Sequence, residues 1–286
     1  MTPAEFNLHL PDTISCGAVF SSPHSGRDYP SAFLQKSVLD AVTIRSSEDA
    51  FVDQLFMSAT HHGAPLLAAS APRAYVDLNR AADELDPSVV EGVRQIGSNP
   101  RISSGLGVIP RVVSEGRAIM NGKITASEAK DRLERFYHPY HAQLRDLLHT
   151  SRAAFGKVLL VDCHSMPREA LTNVSGRFGR MPEIVLGDRF GSSCDSLFVD
   201  EIEAALSDAG FRVARNTPFA GAYITQAYGR PSSGQSCLQI EVDRSLYLDE
   251  KNVVKLEEFD DVRQRLGRVV AKICEMTCWP TQLAAE

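Results

Sequence analysis

The sequence predicts an α/β fold with a mixed, mostly parallel central sheet flanked by helices. Short apolar runs alternate with stretches of helical periodicity, and 286 residues with 43% hydrophobic and 23% charged content can bury a large core. The expected strands are 17–22, 65–69, 157–163, 183–187, 211–214 and 237–242. A first helix is expected over 47–62. Ser47 can cap it, Glu48 and Asp49 suit its first turn, and Phe51, Val52, Leu55 and Phe56 recur at helical spacing before His62 and Gly63 end it. Residues 125–154 form a long amphipathic stretch in which Pro139 lacks an amide and predicts a kink or two abutting helices. Further helices are expected over 195–209 and 252–274. The segment 81–117 is rich in Gly, Ser and Pro with weak periodicity, so it reads as a loop insertion over the mouth of a site. No composition shift forces a boundary, and a single domain over 1–286 is expected.

Charge and cysteine usage narrow the function. The formal charge is −6 and no basic run concentrates positive potential, which argues against nucleic acid as a partner. The N-terminal stretch MTPAEFNLHLPDT has neither a basic segment nor a long apolar one, and no run approaches the length needed to cross a membrane. Six cysteines lie scattered, mostly in apolar segments, as expected for reduced thiols in the cytoplasm. Cys274 and Cys278 share a helical spacing but lack partners that would complete a zinc site, so a structural role is expected.

Four segments carry candidate chemistry, two of them at strand ends, where ligands bind in α/β sheets. In SSPHSGRDYP, His24 follows the apolar run GAVFSS; in LLVDCHSMP, His164 follows Val158 to Val161. A lone histidine at a strand end is usually a hydrogen-bonded structural residue. Two in matching contexts suggest a metal pair, for which Glu48 or Asp49 could add a carboxylate. His138 and His141 form a rival pair without a local carboxylate, and His61 and His62 read as partners of a helix C-terminal dipole. In PRAYVDLNR, Arg73, Asp77, Asn79 and Arg80 offer planar donors suited to a carboxylate, or are simply solvated charges. In LQIEVDR, Glu241 lies between Ile240 and Val242; burial would raise its pKa toward general-base duty, whereas strand alternation could equally turn it to solvent. There is no G-x-S-x-G elbow for a serine nucleophile and no phosphate loop or dinucleotide fingerprint.

The ordered set PHSGRDYP, SEDAFVDQLF, PRAYVDLNR, DCHSMP, NTPFAGAYIT and LQIEVDRSLYLD resembles the N-formylglutamate amidohydrolase family over about residues 17–250. The resemblance implies a fold similar to zinc carboxypeptidases and aspartoacylase, with one catalytic zinc held by two histidines and a carboxylate. His24 and His164 match the histidine positions. Those relatives place the carboxylate three residues after the first histidine, where this chain has Arg27; the acidic position falls instead in SEDAF, at Asp49 rather than Glu48. Arg73 resembles the arginine that polarises the scissile carbonyl, Asn79 and Arg80 the pair that binds a substrate carboxylate, and Glu241 the general base and acid. The implied reaction is zinc-dependent hydrolysis of N-formyl-L-glutamate to formate and glutamate in histidine degradation. A hydrolase of another N-acyl amino acid or small peptide, and a binding protein that has lost catalysis, are the alternatives. Arg27, Arg168 and Arg244 are open as the holder of a second substrate carboxylate.

Overall fold

The computed structural model of the chain describes residues 4–94, 99–172 and 181–278. Its main sheet comprises β1 (Phe6–His9), β2 (Ala18–Ser22), β3 (Leu66–Ala69), β4 (Val158–Met166), β5 (Ile184–Gly187), β6 (Val213–Arg215) and β7 (Gln235–Asp243), in the order β1-β3-β2-β4-β7-β5-β6. β3, β2, β4 and β7 run parallel at the centre. β1 is antiparallel to β3, β5 is antiparallel to β7, and β6 runs parallel to β5. The sheet is therefore mixed and mostly parallel, as expected.

Side-chain alternation along the central strands sends residues to two apolar layers. Ala18, Phe20, Leu159, Val161, Leu238 and Ile240 pack with the helices Ser196–Asp208 and Phe259–Met276 on one face. Val19, Val158, Leu160 and Cys237 pack on the other with the helix His138–Phe155. Each large apolar side chain buried this way contributes about 1.5–3 kcal/mol. Toward the strands' carboxyl ends the second face changes character. On β4 it reads Val158, Leu160, Asp162, His164, and on β7 Cys237, Gln239, Glu241, all buried. The alternation that the sequence left ambiguous for Glu241 thus turns it inward, in register with His164 on the neighbouring strand.

Several expected elements are corrected. β4 runs three residues past the expected end, so His164 lies within the strand rather than after it. β6 begins at Val213, because Phe211 is drawn into the core beneath the sheet. β1 has no counterpart among the expected strands; it is a short, partly exposed edge. The single helix over 47–62 is replaced by a 3-10 turn (Thr43–Ser47), one α-turn (Val52–Leu55) and a second 3-10 segment (Met57–His62). Glu48 and Asp49 are buried, and the Asp49 amide donates to the His24 carbonyl instead of starting a helix. Phe51 reverses the chain in the left-handed region at φ 64°. At Pro139 the helix widens rather than breaks: a π turn over Leu133–Tyr137 joins Ala126–Arg132 to His138–Phe155 and absorbs the missing amide. The last helix starts at Phe259; before it, Val254–Lys255 pairs with Leu248–Asp249. Within 81–117, residues 95–98 lie outside the described residues, and the rest includes a short helix at Pro100–Ser103 capped by the Asn99 side chain. Among the described residues no helix is long and apolar enough to cross a membrane.

Two consequences for stability can be measured. Gly26 closes the turn after His24 against the backbone at Ser70 and Ala71, where an added Cβ would lie 2.0 Å from the Ala71 oxygen. Gly26→Ala is expected to lower unfolding stability by about 1–3 kcal/mol in denaturant titration; an unchanged midpoint would contradict this packing. His141 is buried, contacting Tyr228 Oη through Nδ1 at 2.8 Å and donating from Nε2 to the Leu78 carbonyl at 2.9 Å. Burial lowers its pKa to about 4. The folded state therefore resists a proton that the unfolded chain accepts near pH 6.5, and stability is lost as pH falls from that value toward 4. Between pH 7 and 5 this group is expected to cost about 2 kcal/mol, and His141→Asn to remove that part of the slope. A variant with the wild-type slope would contradict it.

Candidate active site

The carboxyl ends of β2, β3, β4 and β7 open into a cavity of about 600 Å³ lined by His24, Asp49, Arg73, Asp77, Asn79, Arg80, His164, Glu241 and Arg244. All seven site residues singled out by the sequence therefore meet in one place. Residues from the 81–117 insertion, among them Arg101, Leu106 and Val113, form part of its wall, with Phe219 to Ala222 contributing another part.

At its floor His24, Asp49 and His164 each present one ligand atom, all within 4.8 Å of one another. The chain places them by three local devices: the turn after β2 carries His24, β4 carries His164, and the break between 3-10 and α-turn carries Asp49. His24 Nε2 lies 2.7 Å from Asp77 Oδ1, and His164 Nε2 lies 3.0 Å from Asp162 Oδ2. Carboxylates only accept, so each Nε2–H donates to its acid and both rings turn Nδ1 inward. There they meet Asp49 Oδ2, at 3.4 Å from His24 and 2.9 Å from His164. His24 Nδ1 is buried without a hydrogen-bond partner. Three possible ligand atoms converging in a dry pocket, one of them without a hydrogen-bond partner, fit a metal cation such as zinc that would take the place of the proton at Nδ1, and carboxylate-backed histidines are the usual setting for one.

Asp49 rather than Glu48 occupies the centre. Glu48 accepts from Tyr29 Oη at 2.6 Å and from Arg45, outside the cluster. Burial acts to raise the Asp49 pKa, but its bond to His164 and the charge of both imidazoles hold it well below the ordinary carboxylate range. Arg244 donates to Asp49 Oδ1 at 2.9 Å and to Ser165 Oγ.

Glu241 accepts from Gln239 Nε2 at 2.9 Å. Burial is the main cause that pushes its pKa up to about 7; His164 opposes the rise and Asp49 adds to it. A carboxyl tuned to that value is suited to exchanging protons at neutral pH.

Asp77 ties the arginines to the histidine. Besides His24 it accepts from Arg73 Nε at 3.0 Å and from the Asn79 amide, and it stands 3.9 Å from Arg80. Burial, partly offset by Asp77 and reinforced by Arg73 and Arg101, lowers the Arg80 pKa. Asn79 is buried; its Nδ2 faces Asp162 and His164, and its Oδ1 accepts from the Ile224 amide at 2.7 Å. These contacts brace β4 and the cavity wall that Asn79 helps to line.

The other candidates separate from the site. His138 is exposed while His141 is buried with both nitrogens engaged, so they do not form a metal pair. Arg27 pairs with Asp53 and Arg168 with Asp243, neither in this cavity. Cys274 is buried and Cys278 exposed, both as free thiols. Asp162 and Arg101 were not singled out by sequence reasoning. The charged Asp162 inside LLVDCH, two residues before His164 and so on its face, was the available signal; Arg101 offered none.

Comparisons with known proteins show the family to which this fold and sequence belong. Residues 16–248 match the model of the N-formylglutamate amidohydrolase family. The chain is 30% identical over 235 residues to an N-formylglutamate deformylase of Pseudomonas putida, covering 81% of this chain and 82% of that one. A Pseudomonas aeruginosa protein of the same name is 29% identical over 238 residues, with 82% of each covered. The crystal structure of an N-formylglutamate amidohydrolase from Ralstonia eutropha JMP134 superposes with a TM-score of 0.89 at 34% identity, covering 97% of this chain and 99% of that one. The cavity, the buried trio and every strand of the main sheet except β1 fall inside residues 16–248, and the chain belongs to the N-formylglutamate amidohydrolase family.

Proposed function

We propose that this protein hydrolyses the formamide bond of N-formyl-L-glutamate to formate and L-glutamate, using one zinc ion held by His24, Asp49 and His164. The observation that carries the reading is the convergence of those three buried ligand atoms with Glu241 and the arginines in one cavity. The names of the relatives supply the substrate. Charge supports it independently. Arg73, Arg80, Arg101 and Arg244 line the cavity together with Asp49, Asp77, Glu115 and Glu241, so a divalent cation leaves an excess positive charge that a dicarboxylate matches.

Zinc in this setting supplies Lewis-acid polarisation of a carbonyl and acidification of water. The chain's own groups do the rest. Glu241 takes a proton from the attacking water and returns it to the leaving amine nitrogen, a double role that its pKa near 7 permits. Arg73 opposes the negative charge that develops on the formyl oxygen, a contribution of about 3 kcal/mol for a well-placed donor. Arg80 holds one substrate carboxylate, with Asn79 bracing the wall beneath it. Asp77 and Asp162 keep both imidazoles in the tautomer that presents Nδ1. The five buried free cysteines accord with the reducing cytoplasm, where this reaction would end one route of histidine breakdown.

The direct experiment is formate release from N-formyl-L-glutamate by zinc-loaded protein, with a chelated sample and N-acetyl-L-glutamate as controls. Chelator-sensitive formate production is expected. Silence from zinc-bound protein, or equal turnover of the acetyl compound, would overturn the assigned acyl group. Glu241→Gln is expected to keep its zinc and lose roughly 10²–10⁴-fold in kcat; near-normal turnover would remove Glu241 from proton transfer. His164→Ala is expected to lose the metal, as measured by elemental analysis after gel filtration, and retention of one zinc per chain would contradict the ligand assignment.

A further inference from the structure

Arg101 differs from the other arginines of the cavity. Arg73 is tied to Asp77, Arg80 donates to the carbonyls of Leu106 and Asn79, and Arg244 is held by Asp49, Ser165 and Ser46. Among the described residues the Arg101 guanidinium has no hydrogen bond; its nearest carboxylate, Glu84, is 3.9 Å away, and its side chain is 38% exposed. It nevertheless lines the same cavity, from the short helix Pro100–Ser103. The backbone fixes where it stands relative to Arg80. The Leu106 amide donates to the Arg101 carbonyl at 2.8 Å, and the Leu106 carbonyl accepts from Arg80 Nε at 2.8 Å, so one residue links both guanidinium-bearing segments. The two arginines share a wall, and Arg101 is the one whose fork of donors is uncommitted.

N-formyl-L-glutamate carries two carboxylates a few bonds apart. Resting on the reaction proposed above, we infer that Arg101 binds the side-chain carboxylate of the substrate and thereby sets the preference for an acidic acyl amino acid, while Arg80 takes the other carboxylate. Arg27 and Arg168 cannot serve because their ion pairs lie outside this cavity, and Arg244 is consumed in holding Asp49. A planar fork with free donors is the group suited to bidentate capture of a carboxylate. It also gives the 81–117 insertion a chemical task, the reading of substrate charge at the mouth of the site.

The test compares zinc-loaded wild type and Arg101→Met on N-formyl-L-glutamate and on N-formyl-L-glutamine, which has nearly the same shape without the side-chain charge. The expected result is a loss of about 10- to 100-fold in kcat/KM on the glutamate compound, expressed mainly in KM, with a much smaller loss on the glutamine compound, so that the preference collapses. Arg101→Lys should restore part of it. Equal losses on both substrates, or none on either, would overturn the assignment. Thermal stabilisation by glutarate separates this inference from the reaction on which it rests. If wild type hydrolyses neither formyl compound, the proposed reaction fails; stabilisation of wild type but not of Arg101→Met would still support a carboxylate subsite at Arg101, and stabilisation of both or of neither would remove it.

Discussion

A carboxylate almost without access to water lies between two imidazoles, and much of the polar architecture follows from keeping it there. Asp49 is 1% exposed. Removing such a charge from water costs several kcal/mol unless it is paired and hydrogen-bonded. Arg244 satisfies one oxygen and the two imidazoles crowd the other. Each imidazole is in turn held from behind by a second buried carboxylate, Asp77 for His24 and Asp162 for His164. Asp77 then needs Arg73 and Arg80 nearby, so the cluster grows outward until the charges meet the cavity. Breaking one pair would leave its partner buried and uncompensated, which explains why the histidines, the acids and the arginines are drawn from separate stretches of chain into one cluster.

The sheet makes that concentration of polarity tolerable. The middle of its central strands is apolar on both faces, and their charged residues sit on the second face toward the carboxyl ends. The same alternation that seats Val158 and Leu160 in the core delivers Asp162 and His164 to the floor of the cavity, and Gln239 and Glu241 beside them. Core and site are thus successive stretches of the same strands, and the rigidity of one is inherited by the other.

The legible parts of the sequence were those in which a single local force dominates. Buried central strands read as apolar runs, and β2, β4 and β7 were visible for that reason, with His24 and His164 marked by their place at the runs' ends. β1 was not visible, because a short, half-exposed edge strand shows neither an apolar run nor clean alternation. The segment after Ser47 reads as a helix because paired acids ahead of periodic apolar residues look like a helix N-terminus. The competing demand was tertiary: Asp49 must face two histidines, and the chain gives up a regular helix to put it there. Arg101 was illegible because its importance lies in which partners it lacks, and that depends on the folded positions of Glu84, Leu106 and Arg80.

The proposed function stands on the buried trio being a metal site of defined composition. The most direct measurement is a crystal structure of zinc-loaded protein with anomalous data collected on both sides of the zinc edge. One zinc per chain is expected, bound by Nδ1 of His24, Nδ1 of His164 and a carboxylate oxygen of Asp49, with Glu241 unligated and facing the remaining coordination space. Zinc bound elsewhere, or a trio that stays metal-free in zinc-saturated crystals while His24 and His164 close directly on Asp49, would contradict it.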